Sequence, residues 1–157
     1  MKIIFVVAAD LARDKDKRVT VGPETKLACD KAIIIAKSLK EFLYSNVQIV
    51  VTAGIAGPEW DGVNMSHVMA KYLHSQIQHI PITTACAQHS NTSGEMQALA
   101  KLVKNYNHRH QHNPIKEIVL AVKWWHAPRS WCLCSYWLSK ENLRIPVKIG
   151  WCHSRKK

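Results

Sequence analysis

The chain has 157 residues, 47% apolar and 21% charged, which is enough apolar matter for one domain to fold without disulfides or metals and too much for a disordered chain. No run reaches the roughly 18 consecutive apolar residues of a membrane span. The net charge of +11 with neutral histidines favours anionic partners. Its densest run, Lys15 to Arg18, is broken by Asp16, and a second group, Arg155-Lys156-Lys157, sits on the terminal tail.

The first apolar run, Ile3 to Ala9, is short, ends in Asp10 and is followed by the charges from Arg13 to Arg18. It reads as a buried strand rather than an export signal, which makes the cytoplasm the expected compartment. A polar loop is expected through Thr20. Gly22-Pro23-Glu24 then marks a helix start, with proline at the first helical position and an acid in the first turn. Ala28, Ala32, Ile35, Ala36, Leu39 and Leu43 recur at helical spacing behind it. Val47 to Ala53 reads as the second strand. Asn64 caps a helix with the stripe Met65, Val68, Met69, Tyr72, Leu73 and Ile77, and Ile80 to Ala85 can form a third strand.

Thr92-Ser93-Gly94-Glu95 has the form of a capping box, in which Thr92 covers the amide of Glu95 and the carboxylate reaches back. The helix it opens carries Met96, Leu99, Val103 and Tyr106 on one face. Glu117 to Val122 is a fourth strand. Pro128 opens a last helix with Trp131, Cys134, Trp137 and Leu138, and Ile145 to Trp151 closes the chain as a fifth strand. Alternation of apolar runs with helical periods predicts a single α/β domain over 1–157, with a parallel sheet between helices and right-handed crossovers.

In such a sheet, ligands bind beyond the carboxyl ends of the strands, where helix amides point. The residues that follow the strands are Asp10, then Thr52-Ala53-Gly54, then Asn91-Thr92, then Lys123-Trp124-Trp125-His126 with Arg129. His126 and Arg129, three apart at a helix start, suit a phosphate or carboxylate, because the guanidinium fork binds two oxygens at once. Gly54 fits either a ligand contact or a tight turn, and neither a GxGxxG nor a Walker pattern is present. Asp10 is placed to orient a ribose, a metal or His126. The six tryptophans are expected mostly in the core, with Trp124 or Trp125 able to stack on a ring at the site mouth.

Other constellations are weaker. Cys29, Cys86, Cys132, Cys134 and Cys152 are odd in number and lack framework spacing, so free, buried thiols are expected. Cys132 or Cys134 beside His126 lacks a third residue to orient a thiol–imidazole pair. His108 and His112 share a helical face but lie away from the ligand edge, with no acid or cysteine nearby. No metal-ligand set is therefore assigned, and the cofactor stays unassigned.

Taken in order, these landmarks resemble the YdcF-like family of bacterial α/β domains, to which SanA and ElyC belong. Val51-Thr52-Ala53-Gly54 is similar to the family's strand ending in Ser-Gly-Gly. Ser90-Asn91-Thr92 is similar to its Ser-x-Asn-Thr helix start. Val119 to Arg129, with His126-Ala127-Pro128-Arg129, is similar to its strand followed by Thr-Ser-x-x-His-x-x-Arg. Four places depart from the pattern: Ala8-Ala9-Asp10 replaces a glycine-rich turn, Met65 falls near the place of an acid, Asn91-Thr92-Ser93-Gly94-Glu95 alters an Asn-Thr-x-Glu-Asn run, and Val122-Lys123 replaces Thr-Ser.

The resemblance implies a Rossmann-like three-layer sandwich with a mostly parallel five-stranded sheet. It also implies a pocket for an anionic, nucleotide-like or phosphorylated small molecule. In that reading His126 is the acid–base group with Asp10 beside it, and Arg129 holds the anion. Thr52, Gly54, Asn91, Thr92 and Lys123 complete the contacts. Whether the ligand is turned over, by hydrolysis or transfer, is left open. Nucleic-acid binding driven by net charge, or a non-catalytic regulatory role, is the alternative.

Overall fold

Branched apolar runs and amphipathic periods alternate along this chain, and the computed structural model, which describes residues 1–43 and 46–152, sorts them into strands and helices accordingly. The elements are β1 (Lys2–Val6), β2 (Leu11–Arg13), β3 (Val19–Val21), α1 (Pro23–Leu43), β4 (Val47–Val51), α2 (Met65–Gln76), β5 (Ile82–Thr84), α3 (Thr92–Arg109), β6 (Glu117–Lys123), α4 (Ala127–Lys140) and β7 (Val147–Cys152). The tail group Arg155-Lys156-Lys157 and the side chain of Leu43 lie outside the description.

Five strands form one sheet in the order β5-β4-β1-β6-β7, and every pairing in it is parallel. Successive side chains of a strand point to opposite faces. Ile4 and Val6 therefore enter a core with α1 and α2 residues such as Ala28, Ala32, Met69 and Leu73. Ile3, Phe5 and Val7 enter a second core with α3 and α4 residues such as Met96, Leu99, Cys134 and Leu138. Strands covered on both faces explain why β1 and β6 read as unbroken apolar runs. The architecture is Rossmann-like, an α/β sandwich of three layers. Among the described residues, no helix is long and apolar enough to cross a membrane.

One expectation fails between β1 and α1. The segment read as a polar loop holds an antiparallel hairpin, with Leu11 paired to Val21 and Arg13 to Val19. Its turn is built by Asp14, whose Oδ1 accepts from the amides of Asp16 and Arg18 at 2.9 Å each. A three-residue strand has too little period to declare itself in sequence. Arg13 then ties the hairpin to the loop before α2 through Asp61, at 3.0 Å.

The start of α1 forms where Gly22-Pro23-Glu24 places it. Asp10 caps it from outside the helix: Oδ1 accepts from Thr25 N at 2.8 Å and Oδ2 from Glu24 N at 3.2 Å. The buried Thr25 hydroxyl answers by accepting from Ala9 N and Asp10 N and donating to Asp10 O. Gly22 leaves the room for this, since a Cβ there would lie 2.3 Å from the Asp10 carboxyl carbon. Gly22→Ala should therefore displace the cap and cost about 1–2 kcal/mol. Urea unfolding checks this, and an unchanged midpoint would show that the carboxylate relocates without loss.

Candidate functional site

Strand order decides where a ligand crevice can lie. The chain runs outward from β1 to β4 and β5, then returns to the other side of β1 for β6 and β7. The connections leaving β1 and β6 consequently lie on opposite faces, which opens a crevice at their carboxyl ends. Ala8-Ala9 and Trp125-His126 line a cavity of about 260 Å³ at that point. The starts of α1, α3 and α4 adjoin it through Glu24, Thr92 and His126; the α1 amides are taken by Asp10, so the positive helix ends that face the cavity are those of α3 and α4. A larger groove, of about 500 Å³, runs along α3 away from these residues.

The start of α3 differs from the expected capping box. Asn91, not Thr92, is the cap, and its Oδ1 accepts from Gly94 N at 2.7 Å. Asparagine and threonine both cap well, and the tertiary contacts select between them. With Asn91 as cap, the Thr92 hydroxyl meets His126 Nε2 at 3.0 Å. Glu95 no longer folds back on the cap. It turns to the sheet, where Oε1 accepts from Ala8 N at 3.3 Å.

Glu95 is 4% exposed. Burial pushes its carboxyl up to about 8, against the opposing pull of the Ala8 amide. At neutral pH the group is mostly protonated, and a neutral carboxyl in the cavity can donate a hydrogen bond. His126 moves the other way. Partial burial lowers its pKa first, the Arg129 charge lowers it further, and Glu24 offsets part of this. The imidazole is neutral at pH 7, with one nitrogen at Thr92 and its ring tilted against Trp125 at 5.1 Å between centroids.

The other residues proposed from sequence fall into three positions. Gly54, Asn91, Thr92 and His126 line the cavity together. Thr52 lies behind it, fully buried, and its hydroxyl donates to Glu95 O at 2.7 Å, so it sets the position of α3. Asp10 also lies behind, with both carboxylate oxygens on α1 amides. Lys123 and Arg129 stand at the margin. Lys123 Nζ is paired with Glu24 Oε1 at 2.5 Å, and exposed Arg129 acts on His126 through its charge.

Sequence reasoning missed Glu24 as a cavity residue, and it assigned Glu95, a possible ligand contact, to capping instead. The signal for Glu95 was present: a cap at Asn91 leaves Gly94 in the first turn, and glycine there marks close backbone packing. A Cβ on Gly94 would lie 2.2 Å from His89 O. Ser66 was missed too. Its buried hydroxyl lies 2.6 Å from Ala53 O and 2.8 Å from Ala85 O, so α2 joins the ends of β4 and β5 beside the cavity.

Three further expectations change. Trp124 and Trp125 are 54% and 53% exposed and Trp131 is 43% exposed, so these rings are surface rather than core. The Trp131 indole reaches Val147 O at 3.1 Å. Of the four described cysteines, only Cys29 and Cys134 are buried. Burial pushes the Cys134 thiol up to about 12, which leaves no thiolate at neutral pH. Finally, α3 ends at Arg109, so His108 and His112 do not share a helical face. Among the described residues, no group of three or more His, Cys, Asp or Glu is placed to hold a metal.

Compared with protein-family models, curated proteins and solved structures, the chain shows no match.

Proposed function

We propose that the crevice between β1 and β6 binds an anionic, nucleotide-like or phosphorylated small molecule, as a cytoplasmic bacterial relative of the YdcF-like proteins. The observation that carries this reading is the convergence of the buried Glu95 carboxyl with the Thr92–His126 pair in one cavity at the sheet's switch point. A protonated carboxyl, helix amides and an imidazole N–H are all donors, and Arg129 adds charge nearby. Donors around a small cavity suit phosphate oxygens.

Size narrows the ligand. About 260 Å³ lies below the usual range for drug-sized ligands. A phosphate or sugar phosphate fits inside, while an attached base would rest outside against exposed Trp125. His126, neutral and oriented by Thr92, is the group able to take or give a proton.

The test is a thermal-shift screen of nucleotides and sugar phosphates on wild type and on His126→Ala/Arg129→Ala. A ligand at 100 times its Kd adds about 2.7 kcal/mol, a rise of roughly 5–10 °C in Tm for a chain of this size. The double variant should melt near the wild-type temperature without ligand and lose that rise. An equal rise in both proteins would refute the site. If no small molecule shifts Tm while affinity for an oligonucleotide falls steeply with salt, nucleic-acid binding replaces this reading.

A further inference from the structure

β5 is an edge strand: among the described residues it pairs with β4 alone. An edge carries a row of unpaired backbone donors and acceptors, which proteins ordinarily cover or guard. Thr83 is paired with Val50, and Val50 faces the core under α3 and α4, so Thr83 and the preceding Gln48 present that same face. Both are partly exposed there. They form one wall of the 500 Å³ groove whose other wall is the outer flank of α3.

That flank is continuous. Gly94, Ala98, Lys101, Asn105 and Arg109 line the groove at successive turns, a stripe about 22 Å long at 1.5 Å per residue. An extended segment rises about 3.3 Å per residue, so roughly six or seven residues fill it. Leu102 and Tyr106 provide apolar footing, and Gln48, Gln97 and Asn105 add carboxamides. The charge on the walls is one-signed. Lys101 and Arg109 line the groove, no aspartate or glutamate does, and neither cation forms an ion pair among the described residues.

We infer that this groove docks an acidic, extended peptide segment of a partner protein, part of which pairs with the three-residue β5 as a sixth strand while the rest follows the α3 stripe. Backbone hydrogen bonds to the free edge give affinity, and alternate side chains enter the groove, where acidic ones meet Lys101 and Arg109. A second copy of this chain fits less well, because both copies carry +11 and would bring like charge together. The inference does not depend on the crevice at His126.

The probe is a blocked, fluorescein-labelled heptapeptide of alternating glutamate and valine, followed by anisotropy. Two controls accompany it: the same peptide with lysine for glutamate, and one N-methylated at every residue so that no residue amide can donate to the edge. Lys101→Glu/Arg109→Glu, two exposed positions that leave the fold intact, should weaken binding at least tenfold. Lys26→Glu/Lys37→Glu on α1, with the same change in net charge, should leave it within twofold. N-methylation should also cost at least tenfold. Failure of the acidic peptide to bind at millimolar concentration overturns the inference, as does equal binding of the lysine peptide or indifference to the α3 variant. Displacement by an oligothymidylate with equal affinity marks a general polyanion surface and overturns it too. A dimer in sedimentation that Lys101→Glu/Arg109→Glu dissolves assigns the groove to a second copy instead.

Discussion

Glu95→Gln is expected to stabilise the fold at pH 9 by a few kcal/mol and to change it little at pH 5. Burial raises the Glu95 carboxyl from 4.5 to about 8, so between these values the native state holds a proton that the unfolded chain releases. Stability must then fall as pH rises across that window, by up to about 1.4 kcal/mol per unit. Glutamine keeps a carbonyl for the Ala8 amide and a donor for the cavity, but it has no proton to lose. Urea titrations from pH 5 to 9 should show a slope in wild type that the variant lacks. Parallel curves would mean that Glu95 ionises at an ordinary pH and that its neutrality plays no part in the site.

The same protonation has a consequence for binding. An anion that accepts a hydrogen bond from neutral Glu95 should bind more weakly as pH climbs through 8, because the ionised carboxylate repels it. His126 acts at the acid end. Its lowered pKa means that its contribution to stability is complete above its ordinary value near 6.5 and shrinks as pH falls below it. Neutral pH thus keeps both groups uncharged, which leaves Arg129 and the helix amides as the positive features facing a ligand.

Gly94→Ala is expected to destabilise the protein by about 2 kcal/mol, a fall of roughly 4–8 °C in Tm. Alanine normally strengthens a helix relative to glycine by about 1 kcal/mol, so the helical preference alone predicts the opposite sign. Here the new Cβ would sit 2.2 Å from His89 O and 3.0 Å from His89 C, both backbone atoms that cannot swing aside. Either the loop before α3 or the first turn of α3 must move. That turn holds Thr92 against His126 and Glu95 against Ala8, so ligand-induced stabilisation should be lost as well. A Tm equal to or above wild type would show that the loop yields at no cost.

Much of the fold was legible in the residues themselves. Branched runs such as Ile3 to Val7 need cover on both faces, alternating helical periods supply it, and together they leave a parallel sheet as the consistent arrangement. Pro23 and Asn64 marked helix starts because fixed φ and a side-chain acceptor are local effects that need no partner. The same locality explains the failures. The β2–β3 hairpin is too short to carry a period, and the exposed tryptophans read as core because apolar character does not say which face of an element meets solvent.

The candidate site divides along the same line. Its location followed from strand ends, and Gly54, Asn91, Thr92 and His126 meet there because each follows a strand of one parallel sheet. The role of each side chain was decided by contacts between residues far apart in the chain. Asp10 and Thr52 face inward to cap α1 and hold α3, while Glu95 faces the sheet because Asn91 takes the cap and Gly94 lets α3 approach His89. Its raised pKa arises from burial, which spacing along the chain does not encode. Sequence periodicity determined which elements form and which edge they offer; packing alone determined which polar groups lose water there, and with it their protonation and their chemistry.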